Sequence, residues 1–180
     1  MPFKSHLLSY LQILKSIFRI QPDLFTNTIN TNLSGAFYVT QAAAREMVTQ
    51  GSGGSIIGIS SISALVGGAQ QTHYTPTKAG ILSLMQSCAC ALGKYNIRCN
   101  ALLPGTIRTQ LNEADLSDEK KRTYMEGRIP LGRLGKPSDL AGPAVFLASD
   151  LSQYVVSHSI RHLLKVLIHS NPPDWSTITG

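Results

Sequence analysis

The chain has 180 residues, 43 % of them hydrophobic and 14 % charged, with a formal net charge of +6. That length allows one domain with a real core, and the apolar share fits a globular or partly interfacial chain better than a disordered one. The basic excess is spread out: residues 32–150 hold 11 basic and 8 acidic side chains, with no basic run interleaved with aromatics, so nucleic acid is not an expected partner.

The first twenty residues carry Lys4, Lys15 and Arg19 and no acid, with Leu7, Leu8, Leu11, Leu14 and Phe18 at near-helical spacing. This pattern resembles an amphipathic mitochondrial presequence; the bland alternatives are stray coding sequence or a helix of the domain with altered residues. It is too short and too interrupted for a membrane span. The cytoplasm is the expected compartment, with mitochondrial targeting as the alternative. Cys88, Cys90 and Cys99 form neither a disulfide framework nor a metal spacing. They read as small core residues in a reducing compartment. The His residues are scattered, without the paired spacing of a zinc site.

Asn32 precedes a helical pattern at 35–50 with Phe37, Val39, Ala43, Ala44, Met47 and Val48 as its apolar positions. An Asn there could cap the helix that follows. Gly51, Ser52, Gly53 and Gly54 lead into a strand rather than out of one, so they are a loop and not a phosphate cradle. Ile56, Ile57 and Ile59, bounded by Gly and Ser, read as a fully buried strand. Ser61 follows it, at the end where open α/β sheets bind ligands, or as a simple turn cap.

Tyr74 and Lys78 stand four apart and so share one face of a helix. A free phenol loses its proton near pH ~10, and a fixed ammonium beside it favours the phenolate. The spacing can therefore turn a poor base into a usable one; a buried Tyr beside a solvated Lys is the bland alternative. The helix at 75–92 has one charge, Lys78, and reads as buried on most sides, with Gly93 as its stop. A second strand at 97–103 ends in Pro104, Gly105, Thr106, Ile107, Arg108 and Thr109. Strand, helix, strand is a crossover unit of a parallel sheet. The segment 111–127 is charged and helix-prone. After Tyr154 come an apolar patch at 163–168 and a Pro-rich end.

Taken in order, Asn32, Ser61, Tyr74 and Lys78 resemble the catalytic tetrad of the short-chain dehydrogenases/reductases. The turn Pro104, Gly105, Thr106, Ile107, Thr109 is similar to that family's nicotinamide-side loop. Pro130, Leu131, Gly132 and Arg133, then Pro137, Asp139 and the run at 146–150, match its late signature. Residues 65–73 carry a closer likeness to fungal sugar dehydrogenases acting at carbon 1 of an aldose. The resemblance implies an α/β fold, an incomplete Rossmann-like doubly wound parallel sheet. It divides the chain into an atypical segment at 1–22, a catalytic part at 23–154 and an atypical tail at 155–180 that lacks the family's last strand.

The implied activity is an NAD- or NADP-dependent oxidoreductase moving a hydride between nicotinamide and the hydroxyl of a small alcohol or sugar. Tyr74 would be base and acid. Lys78 would lower its pKa and hold the nicotinamide ribose. Ser61 would orient the substrate and steady its oxygen, and Asn32 would support a proton relay. Pro104, Gly105, Thr106, Ile107 and Thr109 would line the cofactor. Segment 111–127 would be a lid, with Pro130, Gly132 and Arg133 as its far hinge. Helices 35–50 and 75–92 would pair with a second copy in a homo-oligomer. The family's glycine-rich phosphate loop has no counterpart here, and neither has the residue that separates NAD from NADP. The strand at 56–60 is therefore expected at or near a sheet edge. The alternative is a truncated, catalytically inactive remnant that acts through self-association.

Overall fold

The computed structural model describes residues 15–161. The candidate presequence up to residue 14 and the apolar patch at 163–168 lie outside the described residues. Pro22 opens the first helix because its fixed φ suits a helix start, where its missing N–H would have no partner anyway. Helix α1 runs Pro22–Ile29, passes through one π turn at Asn30–Ser34, and continues as α2, Gly35–Gln50. Gly51 ends it in the left-handed conformation, φ 71°, its N–H on Met47 O. Asn32 does not cap the helix that follows. It lies inside the π turn, with helical backbone on both sides.

Strand β1, Gly54–Ile59, helix α3, Thr75–Leu92, and strand β2, Ile97–Leu103, form the expected crossover. The strands are parallel, Gly54 opposite Ile97 and Ile59 opposite Leu102. Strand β2 is central and buried at every position but Arg98. Strand β1 is not fully buried, as its Ile-rich run suggested. It is half-buried, with Ile59 51 % exposed, because no strand pairs with its outer edge among the described residues. The expected edge position is what the sheet order shows.

A third strand, β3, Ser159–Arg161, pairs in parallel with the other side of β2. The sheet thus extends past the Tyr154 boundary into the segment read as an atypical tail. Asn100 explains how. It is fully buried, its Nδ2 donates to Val155 O at 2.8 Å, and its Oδ1 accepts from His158 N at 2.9 Å. One carboxamide satisfies both backbone groups of the turn that leads into β3.

Side-chain alternation divides the two faces of the sheet. Met85, Ala89, Ile97, Cys99, Ala101 and Leu103 form the core cluster on the α3 face, with Met47 and Ile56 packed against it. The opposite face receives helix α6, Pro137–Ala148, whose Leu147 is fully buried. Ser55 Oγ donates to Leu147 O at 2.8 Å, and Arg98 spreads its guanidinium over Leu147 O, Ser149 O and Ser152 Oγ at 2.9–3.2 Å. These donors satisfy carbonyls that the end of a helix leaves open.

Helix α3 is less enclosed than its lack of charge implies. Thr77, Ile81, Met85 and Ala89 are buried, while Ser83, Gln86, Ser87, Cys90 and Ala91 are exposed. Between α2 and α3 lies an open apolar groove of about 630 Å³, lined among others by Phe37, Ala44, Val48, Cys88 and Ala91. Between β2 and α6 the chain makes two short helices, α4, Glu113–Leu116, and α5, Glu119–Gly127. Asp118 caps α5 by accepting from Lys120 N and Lys121 N.

Candidate active site

The C-terminal ends of β1 and β2 lie side by side, and their extensions stay joined. Ser60 N donates to Leu102 O and Ile62 N to Pro104 O, both at 2.9 Å. This brings Ser61 alongside the Pro104 turn. Ser61 begins a single 3-10 turn, Ile62–Ala64. Its Oγ accepts from Ser63 N at 3.2 Å and from Ser63 Oγ at 3.0 Å. A hydroxyl has two lone pairs and one proton. Ser61 is therefore the turn cap that its residue type suggests, and its own O–H is left as a donor.

Tyr74 sits at the N-cap of α3, with Pro76 in the first turn. Lys78, one turn on, places Nζ 5.6 Å from the centre of the Tyr74 ring, within cation–π range. The ammonium also donates to Ile59 O at 3.1 Å, while Ser60 Oγ donates to Lys78 O at 2.6 Å. This exchange ties the first turn of α3 to the end of β1. Burial of Lys78 lowers its pKa below the ordinary lysine value of 10.5.

Asn32 reaches the same turn from the other side. Its Nδ2 donates to Thr77 Oγ1 at 3.0 Å, and Thr77 Oγ1 donates to Tyr74 O at 2.7 Å. Thr77 is fully buried. The π turn accounts for this reach: an extra residue in one turn shifts the register of the side chains beyond it, and such turns recur at functional sites. Three of the four expected residues, Asn32, Tyr74 and Lys78, thus meet around one helical turn, and Ser61 faces the Pro104 turn. Ser60 and Thr77, which lock that arrangement, escaped the sequence reading. Their only signal was position, each standing beside a residue already singled out.

The turn after β2 is fixed from two sides. Ile107 forms a parallel bridge with Gly135; Arg108 N donates to Gly135 O at 2.8 Å and Gly135 N to Thr106 O at 3.0 Å. A Cβ on Gly135 would meet Ile107 Cδ1, the tip of that side chain, which would have to turn aside. The far hinge expected at Pro130, Gly132 and Arg133 falls on a left-handed glycine and an ion pair. Gly132 takes φ 65°, and Arg133 grips both oxygens of Asp139 at 2.7 and 3.0 Å. This fork geometry resists rotation.

The nicotinamide end of a dinucleotide fits these residues. Lys78 spends one of its three N–H bonds on Ile59 O, which leaves two for a ribose diol. The turn at 104–109 follows β2 and is joined to the end of β1 through Ile62 N and Pro104 O. No G-x-x-x-G-x-G or G-x-G-x-x-G run follows a strand among the described residues to receive the adenosine phosphates.

The parallel βαβ unit, the helices on both sheet faces and the Tyr–Lys turn at a strand end define a class of nucleotide-linked oxidoreductases. Residues 7–162 match the family described as enoyl-(acyl carrier protein) reductase, and the chain belongs to the short-chain dehydrogenases/reductases. It is 72 % identical over 141 residues to an L-rhamnose-1-dehydrogenase of Scheffersomyces stipitis, covering 78 % of this chain and 55 % of that protein. It is 67 % identical over 138 residues to an L-rhamnose 1-dehydrogenase (NAD(P)(+)) of Azotobacter vinelandii, covering 77 % and 54 %. A gluconate 5-dehydrogenase of Burkholderia cenocepacia, solved with NADP and tartrate, superposes with a TM-score of 0.79 at 32 % identity, covering 83 % of this chain and 58 % of that one. The chain thus spans about half the length of the curated relatives it matches.

Proposed function

We propose that this chain carries the catalytic and nicotinamide-side part of an NAD(P)-dependent sugar dehydrogenase, with L-rhamnose or a similar aldose as substrate and the lactone as product. The observation that carries this reading is the Tyr74–Lys78 turn tied to the end of β1, with Lys78 Nζ on Ile59 O at 3.1 Å. The names and identities of the relatives support the substrate class. Tyr74 takes the proton of the anomeric hydroxyl. Lys78 favours the phenolate through its charge and holds the ribose of the cofactor. Ser61 donates its free O–H to the substrate oxygen and steadies developing charge there. Asn32 holds the Tyr74 turn through Thr77. The bound nicotinamide supplies hydride acceptance, and the turn of Pro104, Gly105, Thr106, Ile107 and Thr109 shapes the pocket around it.

Oxidation of L-rhamnose by the purified chain, followed at the nicotinamide absorbance with NAD+ and with NADP+, is the direct test. Tyr74→Phe is expected to lower turnover at least ~10²-fold, the scale of a lost general base. Turnover that survives this substitution would end the assignment. We also propose self-association through α2 and α3, because the 630 Å³ groove between them exposes Phe37 and Val48 to solvent. The cytoplasm is the compartment we propose. Among the described residues, no helix is long and apolar enough to cross a membrane.

A further inference from the structure

Asn112 stands at the N-cap of α4, where an Asn ordinarily turns its side chain onto the amides of the helix it begins. Here it makes no such bond. Its carboxamide points back to the cofactor-side turn instead. Oδ1 accepts from Thr109 N at 2.8 Å and lies 3.5 Å from Thr109 Oγ1, and Nδ2 donates to Ile107 O at 2.8 Å. The backbone adds Asn112 N to Thr109 O at 3.2 Å. Gly135 holds the neighbouring groups, Thr106 O and Arg108 N. Between them, Asn112 and Gly135 take up backbone groups of Thr106, Ile107, Arg108 and Thr109. None of these bonds serves α4, so the side chain that could have stabilised a helix is committed to the shape of the turn.

We propose that Asn112 is a positioning residue for nicotinamide binding: it locks the Thr106–Thr109 turn in the conformation that receives the nicotinamide end of the dinucleotide. The proposal rests on the cofactor reading above. It also follows that the lid base and the cofactor turn move together, since Asn112 belongs to one and binds the other. Asn100 does the same for the turn into β3, one carboxamide closing a donor and an acceptor three residues apart.

The test is amide hydrogen exchange and nitrogen-15 spectra of the full chain, with and without NADH, in the parent, Asn112→Ala and Asn112→Asp. In Asn112→Ala, the Thr109 amide is expected to exchange about tenfold faster, the effect of one lost hydrogen bond. NADH-induced shifts at Thr106, Ile107 and Thr109 should weaken with it, while exchange in β2 stays unchanged. Asn112→Asp keeps the acceptor for Thr109 N and loses the donor to Ile107 O. It should retain slow exchange at Thr109 and still bind NADH more weakly. Unchanged Thr109 exchange in Asn112→Ala defeats the positioning role, whatever NADH does. Equal loosening of β2 defeats it too, because Asn112 would then serve overall stability. Turn amides of the parent that ignore NADH defeat the cofactor reading itself, and with it the role in binding.

Discussion

Lys78 illustrates a residue whose chemistry works against the fold that holds it. Burial lowers its pKa from 10.5, so the folded chain holds its proton less firmly than the unfolded one. The stability deficit is therefore complete below the lowered pKa and is relieved as pH rises through it towards 10.5. Lys78→Met is expected to melt no lower than the parent at neutral pH, and the parent should gain on it as pH rises. Urea midpoints of both proteins at neutral and alkaline pH would show this. A variant whose advantage grows with pH would refute it. The cysteines sort by burial in the same way. Cys99 is fully buried, and burial, with Cys88 beside it, pushes its thiol up to about 11. Burial also raises Cys88, whereas Cys90 is exposed and is not the core residue its composition suggested. Since the thiolate is the nucleophile, iodoacetamide should label Cys90 first, Cys88 slowly and Cys99 only in denaturant. Native labelling of Cys99, seen in peptide masses, would contradict this.

The elements meet at positions where a side chain is missing for a reason. A Cβ on Gly58 would lie 2.5 Å from Met85 Cγ and 3.0 Å from Ile81 Cγ2, so these side chains of α3 pack on the bare backbone of β1. Gly58→Ala is expected to cost ~1–3 kcal/mol by overpacking, read as a lower urea midpoint at unchanged slope. An unchanged midpoint would mean that α3 moves away freely, and the link from Lys78 to Ile59 O would then be loose as well. Helix α3 itself was legible in the sequence up to its end at Gly93, because its charge-poor pattern and that glycine are local. The π turn at Asn30–Ser34 was not legible. Its dihedrals remain helical, and nothing in the residues from Asn30 to Ser34 marks a widened turn. Asn32 was picked out as a residue type, yet its bond to Thr77, 45 positions away, exists only once the π turn packs on α3.

At the scale of the whole molecule, two surfaces of the described residues stand out. Among those residues no strand pairs with the outer edge of β1, where Ile59 is exposed, an arrangement that invites another strand. The groove between α2 and α3 offers a broader apolar face, the one proposed above for self-association. Sedimentation of the parent should show a dimer, and Val48→Asp, which puts a charge into the groove, should shift it to monomer. A monomeric parent, or a dimer indifferent to Val48→Asp, would rule out this face. Association through the edge of β1 would instead survive Val48→Asp and grow towards aggregates.

By itself the sequence determined the short-range facts: that Tyr74 and Lys78 share a helix face, that strand, helix and strand follow in order, and that Pro104–Thr109 is a turn. Each rests on spacing along one segment, where backbone geometry leaves few choices. Only the tertiary structure decided which groups are spoken for. Ser61 spends its lone pairs on Ser63 and keeps its proton, Asn112 forsakes its own helix, and Asn100 draws the tail into the sheet. Hydrogen-bond partners are chosen by proximity in space, and proximity between segments is set by packing, which no local pattern encodes.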